Sequence, residues 1–263
     1  MNEEQALSFS VVVVAKNAEE TICETVISAL EQEGVSLEVM VKDGGSTDQT
    51  LARLPMDPRI RLLIGSDSGV YDAMNQAIRA ARGRWLCFLN CGDRFCETDV
   101  LRQMTAFLDD ATVVYGDYSR GGVYFRQPDY LTRFALYRSP LCHQTMVFPA
   151  AVLRRFGGYD SRLRILADWQ YTLLLRQQQV GFRHIPVRVC DYRGGGLSET
   201  PEGRRQKKRE RKVLLRLFYT RTERLLFGAG WRLSLPRLRA VFVSDRAPGC
   251  VRRCYRATVN RFH

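Results

Sequence analysis

Three short segments of this chain carry acidic side chains directly after apolar runs. Lys42-Asp43-Gly44-Gly45-Ser46-Thr47-Asp48 follows Leu37 to Val41, Ser66-Asp67-Ser68-Gly69 follows Ile60 to Ile64, and Asn90-Cys91-Gly92-Asp93 follows Trp85 to Leu89. A carboxylate taken out of water costs free energy unless it meets a cation or hydrogen-bond donors, so acids at the ends of buried strands point to a bound ligand. Asp43, first after its strand, can accept from a base N–H or ribose hydroxyls. The glycines behind it let backbone approach a ligand closely, and Asp48 reads as a helix cap. Asp67 is divided between a cap and a ligand contact. Asp93, turned back by Gly92 and helped by Asn90, has the oxygen chemistry of a Mn or Mg site completed by diphosphate oxygens and water. Asp168, in Leu166-Ala167-Asp168-Trp169, stands at a predicted helix start, where a cap outweighs a proton acceptor on position alone. His143-Gln144 forms a polar island before Met146-Val147-Phe148, and His184 reads as structural.

The elements that must position these residues alternate. Phe9 to Ala15 is a β-branched run suited to a strand buried on both faces, and Asn17 with Glu20 has the spacing of a capping box for the helix carrying Ile22, Val26, Ala29 and Leu30. Leu37 to Val41, Ile60 to Ile64 and Trp85 to Leu89 read as further strands, Asp48 to Leu54 as a short helix, and Tyr71 to Ala81 as a helix closed by Gly83. This alternation predicts an α/β fold with an open, mostly parallel sheet whose ligands bind beyond the carboxyl ends of the strands. Later strands (Thr112 to Tyr115, Val123 to Phe125, Met146 to Phe148, Phe182 to Val189) complete a mixed sheet. Helices are expected over Ala151 to Phe156 and over Asp168 to Gln179, the latter ended by Gly181.

The 263-residue chain carries a net charge of +12, and all of the excess lies at one end. Residues 204–263 hold 18 Lys/Arg against 3 Asp/Glu, whereas residues 1–203 hold 22 against 25. The division predicted is a catalytic domain over 1–203 and a basic amphipathic helical appendage over 204–263. Arg204 to Lys212 reads as too charged for a core, with Val213, Leu214, Leu217, Phe218 and Leu225 as an apolar stripe beside it and Trp231, Leu233, Leu235 and Phe242 as interfacial anchors. The eight cysteines show no paired metal spacing and fit a reducing cytosol. With no basic n-region and no apolar run of the ~18 residues that span a bilayer, neither a signal peptide nor a transmembrane segment is expected.

With these loops assembled, residues 8 to 200 resemble the family 2 inverting glycosyltransferases of the GT-A fold. The matching segments are Val11-Val12-Val13-Val14-Ala15-Lys16-Asn17, the Asp43 loop, Asp67-Ser68-Gly69-Val70-Tyr71-Asp72-Ala73-Met74-Asn75, Leu89-Asn90-Cys91-Gly92-Asp93 and Ala167-Asp168-Trp169. His143-Gln144 and Gly194-Gly195-Gly196-Leu197-Ser198 look most like the colanic-acid-type transferases that build exopolysaccharide or lipopolysaccharide. The resemblance implies donor-side roles for Asn17, Asp43, Asp67, Tyr71, Asn75 and Asn90, metal binding by Asp93, a general base in Asp168, and acceptor-side positions for His143, Gln144 and Trp169. It implies a Mn or Mg ion, a nucleotide-diphosphate sugar donor with UDP favoured over GDP, and a glycan or lipid-linked glycan acceptor. Asn90 replaces the usual first acid of the metal motif, and Ala167 replaces the acid that often precedes the base. No Gln-x-x-Arg-Trp segment follows, which argues against a processive synthase.

A nucleotide-dependent dehydrogenase would need Gly-x-Gly-x-x-Gly after the first strand, where this chain has Ala15-Lys16-Asn17-Ala18-Glu19-Glu20. A sugar nucleotidyltransferase would need a glycine-rich, Arg-containing loop there. The alternative outside catalysis is a nucleic-acid- or anionic-surface-binding protein that uses its basic tail beside a degenerate nucleotide-sugar domain. Nucleic acid ranks below an anionic membrane surface as the partner of residues 204–263. The localisation expected is cytoplasmic, attached to the inner face of the cell membrane.

Overall fold

The computed structural model describes residues 8–233. Strands β1 (Phe9–Ala15), β2 (Leu37–Asp43), β3 (Ile60–Ile64) and β4 (Trp85–Asn90) are parallel, in the spatial order β3-β2-β1-β4. The chain therefore leaves β1 on one side for β2 and β3, then crosses to the other side for β4. That reversal opens a crevice at the carboxyl ends of β1 and β4. Register fixes what lines it: Ala15 pairs with Asp43, Val14 with Asn90, and Asp43 with Ile64.

Strands β5 (Arg94–Phe95), β6 (Thr112–Arg120), β7 (Val123–Phe125), β8 (Met146–Pro149) and β9 (Gly181–Asp191) complete one mixed nine-stranded sheet. β8 runs antiparallel to both of its neighbours, β4 and β6. Odd and even positions of β1 serve two cores. Val11 and Val13 pack with Ile22, Val26 and Ala29 of α1 (Ile22–Leu30), and Val12 and Val14 pack with Met74 and Ala77 of α2 (Val70–Ala80). This double burial explains why β1 lacks polar alternation.

Several local expectations change. The helix after β1 begins at Ile22 with no side-chain cap, and Asn17, at φ 50°, accepts instead from the Thr47 N–H at 2.9 Å. Asp48 to Leu54 shortens to a 3₁₀ turn at Leu51–Arg53. Helices α3 (Val100–Thr105) and α4 (Arg133–Arg138) join the expected α5 (Ala150–Phe156) and α6 (Ala167–Gln177). α2 stops at Ala81, whose backbone turns extended before Gly83 is reached, and α6 ends where Gln179 takes φ 59°, ahead of Gly181.

The largest correction concerns the boundary at residue 203. Helix α7 (Pro201–Phe218) runs straight through it, and α8 (Arg221–Leu233) follows. Leu214 and Tyr219 sit in the same core as Val12 and Phe88. The basic run is not excluded from the interior: Glu210 is buried, and the Arg211 guanidinium lies 4.9 Å over the Trp169 ring. Glu223 of α8 is bound twice by Arg133, at 2.7 and 3.0 Å. Burial raises its carboxyl pKa, but Arg133 and Thr220 outweigh this and hold it below the usual range. Residues 201–228 therefore belong to the body of the protein. Leu235 and Phe242, expected as anchors, lie outside the described residues. No helix among the described residues is long and apolar enough to cross a membrane.

Candidate active site

At the carboxyl end of β2, the Asp43 carboxylate closes its own loop. It accepts from the Gly45 and Ser46 N–H groups, each at 2.9 Å, and from the Ser46 hydroxyl at 2.5 Å. A carboxylate offers about four acceptor sites, so capacity remains for a ligand. The Asp67 loop abuts this one: a Cβ on Gly44 would stand 2.5 Å from Asp67 Oδ2, so only glycine permits the approach.

Between the two loops lies Lys42, fully buried in β2. Its ammonium donates to the Asp43 carbonyl at 2.7 Å, the Gly65 carbonyl at 2.6 Å and Asp67 Oδ2 at 3.3 Å, which uses all three protons. This lysine holds both acidic loops, and sequence reading missed it. The available signal was a lone cation inside an apolar strand, where a charge is costly unless paired.

Asp93 is buried and held from two sides, by the Gln144 amide N–H at 2.7 Å and the Arg193 backbone N–H at 3.0 Å. Burial pushes its pKa up against these hydrogen bonds, which pull it down. Neighbouring Asn90 has a buried Oδ1 with no hydrogen-bond partner among the described residues. An unsatisfied amide oxygen beside a buried carboxylate fits a hard cation such as Mn or Mg. The Cys91 thiol rises to about 12 through burial and the charges of Asp93 and Asp43, so the two acidic loops share one environment.

Asp168 lies in the first turn of α6, inside the helix and not at its cap. Its Oδ1 accepts from the Trp169 N–H at 2.8 Å and shares the single Tyr71 hydroxyl proton, at 3.2 Å, with the Ile165 carbonyl at 2.8 Å, and its Oδ2 faces His143 Nδ1 at 3.4 Å. Burial, and then the Asp168 charge, drive the Tyr71 phenol well above its ordinary pKa, so it remains a donor. His143 Nε2 is buried with no partner among the described residues. The 3₁₀ turn His143–Thr145 thus touches both carboxylates, with His143 on Asp168 and Gln144 on Asp93.

Three expected site residues serve the fold instead. Trp169 is buried, with its indole N–H on the Leu136 carbonyl at 2.9 Å, so it cannot face an acceptor. The Asn75 amide donates to and accepts from the Tyr159 backbone, at 2.7 and 2.8 Å. Gln144 is a buried support of Asp93 and not an acceptor contact. His184 is structural as expected, set between Asp117 at 2.8 Å and Asp129 at 2.9 Å.

Sequence reading also missed Glu210. Its carboxylate accepts from three consecutive backbone N–H groups, Arg164 at 2.8 Å, Ile165 at 3.1 Å and Leu166 at 2.9 Å. These residues lead directly into the turn that carries Asp168, so α7 anchors that turn.

The profile described as Glycosyl transferase family 2 matches residues 10–195, a span that holds every acidic loop above and Asp168. The chain belongs to glycosyl transferase family 2. A PGL/p-HBAD biosynthesis glycosyltransferase of Mycobacterium bovis is 33% identical over 204 residues, 73% of this chain and 79% of that relative. The succinoglycan biosynthesis protein ExoO of Rhizobium meliloti is 43% identical over 104 residues, 38% of this chain and 29% of that protein. Among solved structures, S. aureus TarS 1-349 in complex with UDP aligns with a TM-score of 0.62 at 18% identity, over 91% of this chain and 76% of that one. The mannosyltransferase PcManGT from Pyrobaculum calidifontis, in complex with GDP-Man and Mn2+, aligns with a TM-score of 0.56 at 22% identity, over 72% and 57%. The fold is GT-A, and this family 2 member is a glycosyltransferase.

Proposed function

We propose that this glycosyltransferase moves a sugar, with inversion, from a nucleoside-diphosphate donor to a hydroxyl of a lipid-linked glycan in bacterial surface polysaccharide assembly. The observation that carries the reading is Asp168, whose carboxylate lies against the Tyr71 hydroxyl at 3.2 Å and His143 Nδ1 at 3.4 Å, on the turn whose next residue, Gln144, donates to Asp93. A single carboxylate there suits one in-line displacement. Asp168 Oδ2 takes the proton of the attacking hydroxyl, while Tyr71 and His143 fix the orientation of the carboxylate. Asp43 and Asp67, set by Lys42, receive the nucleoside. Asp93, with Asn90, would hold a Mn or Mg ion that neutralises charge developing on the leaving diphosphate. Among the described residues no three His, Cys, Asp or Glu side chains converge as a metal cluster, so such an ion would draw its remaining ligands from the donor and water.

UDP is the preferred nucleotide in this reading, supported by the TarS complex with UDP. Polysaccharide assembly is supported by the name of the ExoO relative. The inner membrane face as location is supported by Val213, Leu217, Leu225 and Leu226, all exposed, among Lys212, Arg216 and Arg221.

Asp168→Asn tests the base, because the amide keeps an acceptor for Tyr71 and Trp169 but cannot take a proton. Transfer should fall about 10²- to 10⁴-fold with UDP affinity unchanged. Transfer at the parent rate would refute the assignment.

A further inference from the structure

Between the first turns of α7 and the loop leading into α6 lies a cavity of about 300 Å³. Arg164 and Ile165 line it from the loop, Leu197 from the 3₁₀ turn before α7, and Glu202, Arg205 and Arg209 from the helix. Three arginines and one glutamate thus line the same pocket. None of these three arginines forms an ion pair among the described residues, whereas Arg59, Arg61, Arg84, Arg133 and Arg162 each sit on a carboxylate.

The cluster is imposed by the fold. Arg205 and Arg209 share a helix face by their i,i+4 spacing. Gln206, which also lines the cavity, donates to Glu210 at 2.9 Å, and Glu210 grips the Arg164–Leu166 backbone, so the two basic walls are tied together. At the far end Gly203 packs so closely that a Cβ would lie 1.8 Å from the Leu197 carbonyl oxygen. All three arginines are exposed, so their charges are open to an anion arriving from solvent.

We propose that this cavity binds a phosphate group carried by the acceptor substrate. Guanidinium forks match phosphate oxygens in pairs, and the volume is at the low end of the ~300–1,000 Å³ range of ligand pockets. Position assigns it to the acceptor. Ile165, whose carbonyl accepts from Tyr71 at 2.8 Å, precedes Asp168 by three residues, so the two Cα atoms lie at most about 11 Å apart. Leu197 follows Arg193, which holds Asp93, by four residues. A glycosyl phosphate anchored here would present a sugar hydroxyl toward the base. The inference rests on the transfer reading, and it adds a phosphate anchor to it.

Calorimetry on the full chain tests it. UDP is titrated first, reporting the donor edge separately, and inorganic pyrophosphate is then titrated with UDP kept in place. Arg205→Gln with Arg209→Gln should weaken pyrophosphate binding about tenfold or more and leave UDP unchanged, while Lys212→Gln with Arg216→Gln, the same charge loss outside the cavity, should stay within about twofold of the parent. A short-chain alkyl sugar phosphate should displace the pyrophosphate. Absence of pyrophosphate binding in the parent, equal weakening in both double variants, or failure of the alkyl sugar phosphate to compete, whether or not phosphatidylglycerol vesicles do, would overturn the proposal. Loss of UDP binding alone would instead count against the donor reading.

Discussion

His143 places Nδ1 3.4 Å from Oδ2 of Asp168, and the next residue, Gln144, donates to Asp93. One short turn therefore sets the distance between the proposed base and the proposed metal ligand. His143→Ala should lower kcat about tenfold or more and leave the Kd for UDP unchanged. His143→Asn, whose amide N–H can replace Nδ1–H, should recover part of the loss. A matching fall in UDP affinity, or no recovery with Asn, would show that His143 supports folding or donor binding instead.

Glu210 links helix α7 to the turn that carries Asp168, the proposed base. Glu210→Ala leaves three backbone N–H groups without their acceptor, and each buried donor so stranded costs about 1–3 kcal/mol. At about 2–4 °C per kcal/mol for a chain of this size, Tm should fall by roughly 6 °C or more. kcat should fall as well, through the mobility given to Asp168. Unchanged Tm, measured by calorimetry, would contradict the clamp.

Membrane attachment through α7 and α8 predicts flotation of the full chain with anionic but not neutral liposomes, weakened by salt, since each basic residue near such a surface contributes about 1 kcal/mol. Leu217→Glu with Leu225→Glu should abolish it, because both side chains are exposed, at 70% and 64%. Truncation near Gly203 would not serve, as it removes Leu214 and Tyr219 from the core. Equal flotation of parent and double variant would dismiss this surface.

The parallel half of the sheet was legible because Phe9–Ala15, Leu37–Asp43 and Trp85–Asn90 are apolar runs closed by Asn, Asp and Gly, signals that local sequence carries whole. The acidic loops were legible for the same reason. Trp169 and Asn75 misled because their partners, the Leu136 carbonyl and the Tyr159 backbone, are 33 and 84 residues away in sequence. The basic segment misled for a different reason. Its buried face is Gly203, Glu210 and Leu214, a helical spacing filled largely by residues that a hydrophobicity pattern counts as surface. Tertiary hydrogen bonds made that face internal, and no window of sequence displays them.

The proposed donor site has a diphosphate end that depends on Asp93. Calorimetric titration of UDP with and without Mn2+, on the parent and on Asp93→Ala, measures it directly. Mn2+ should tighten UDP binding to the parent by about tenfold or more and leave the variant unaffected. No binding of UDP by the parent under either condition, or the same Mn2+ effect in Asp93→Ala, would contradict it.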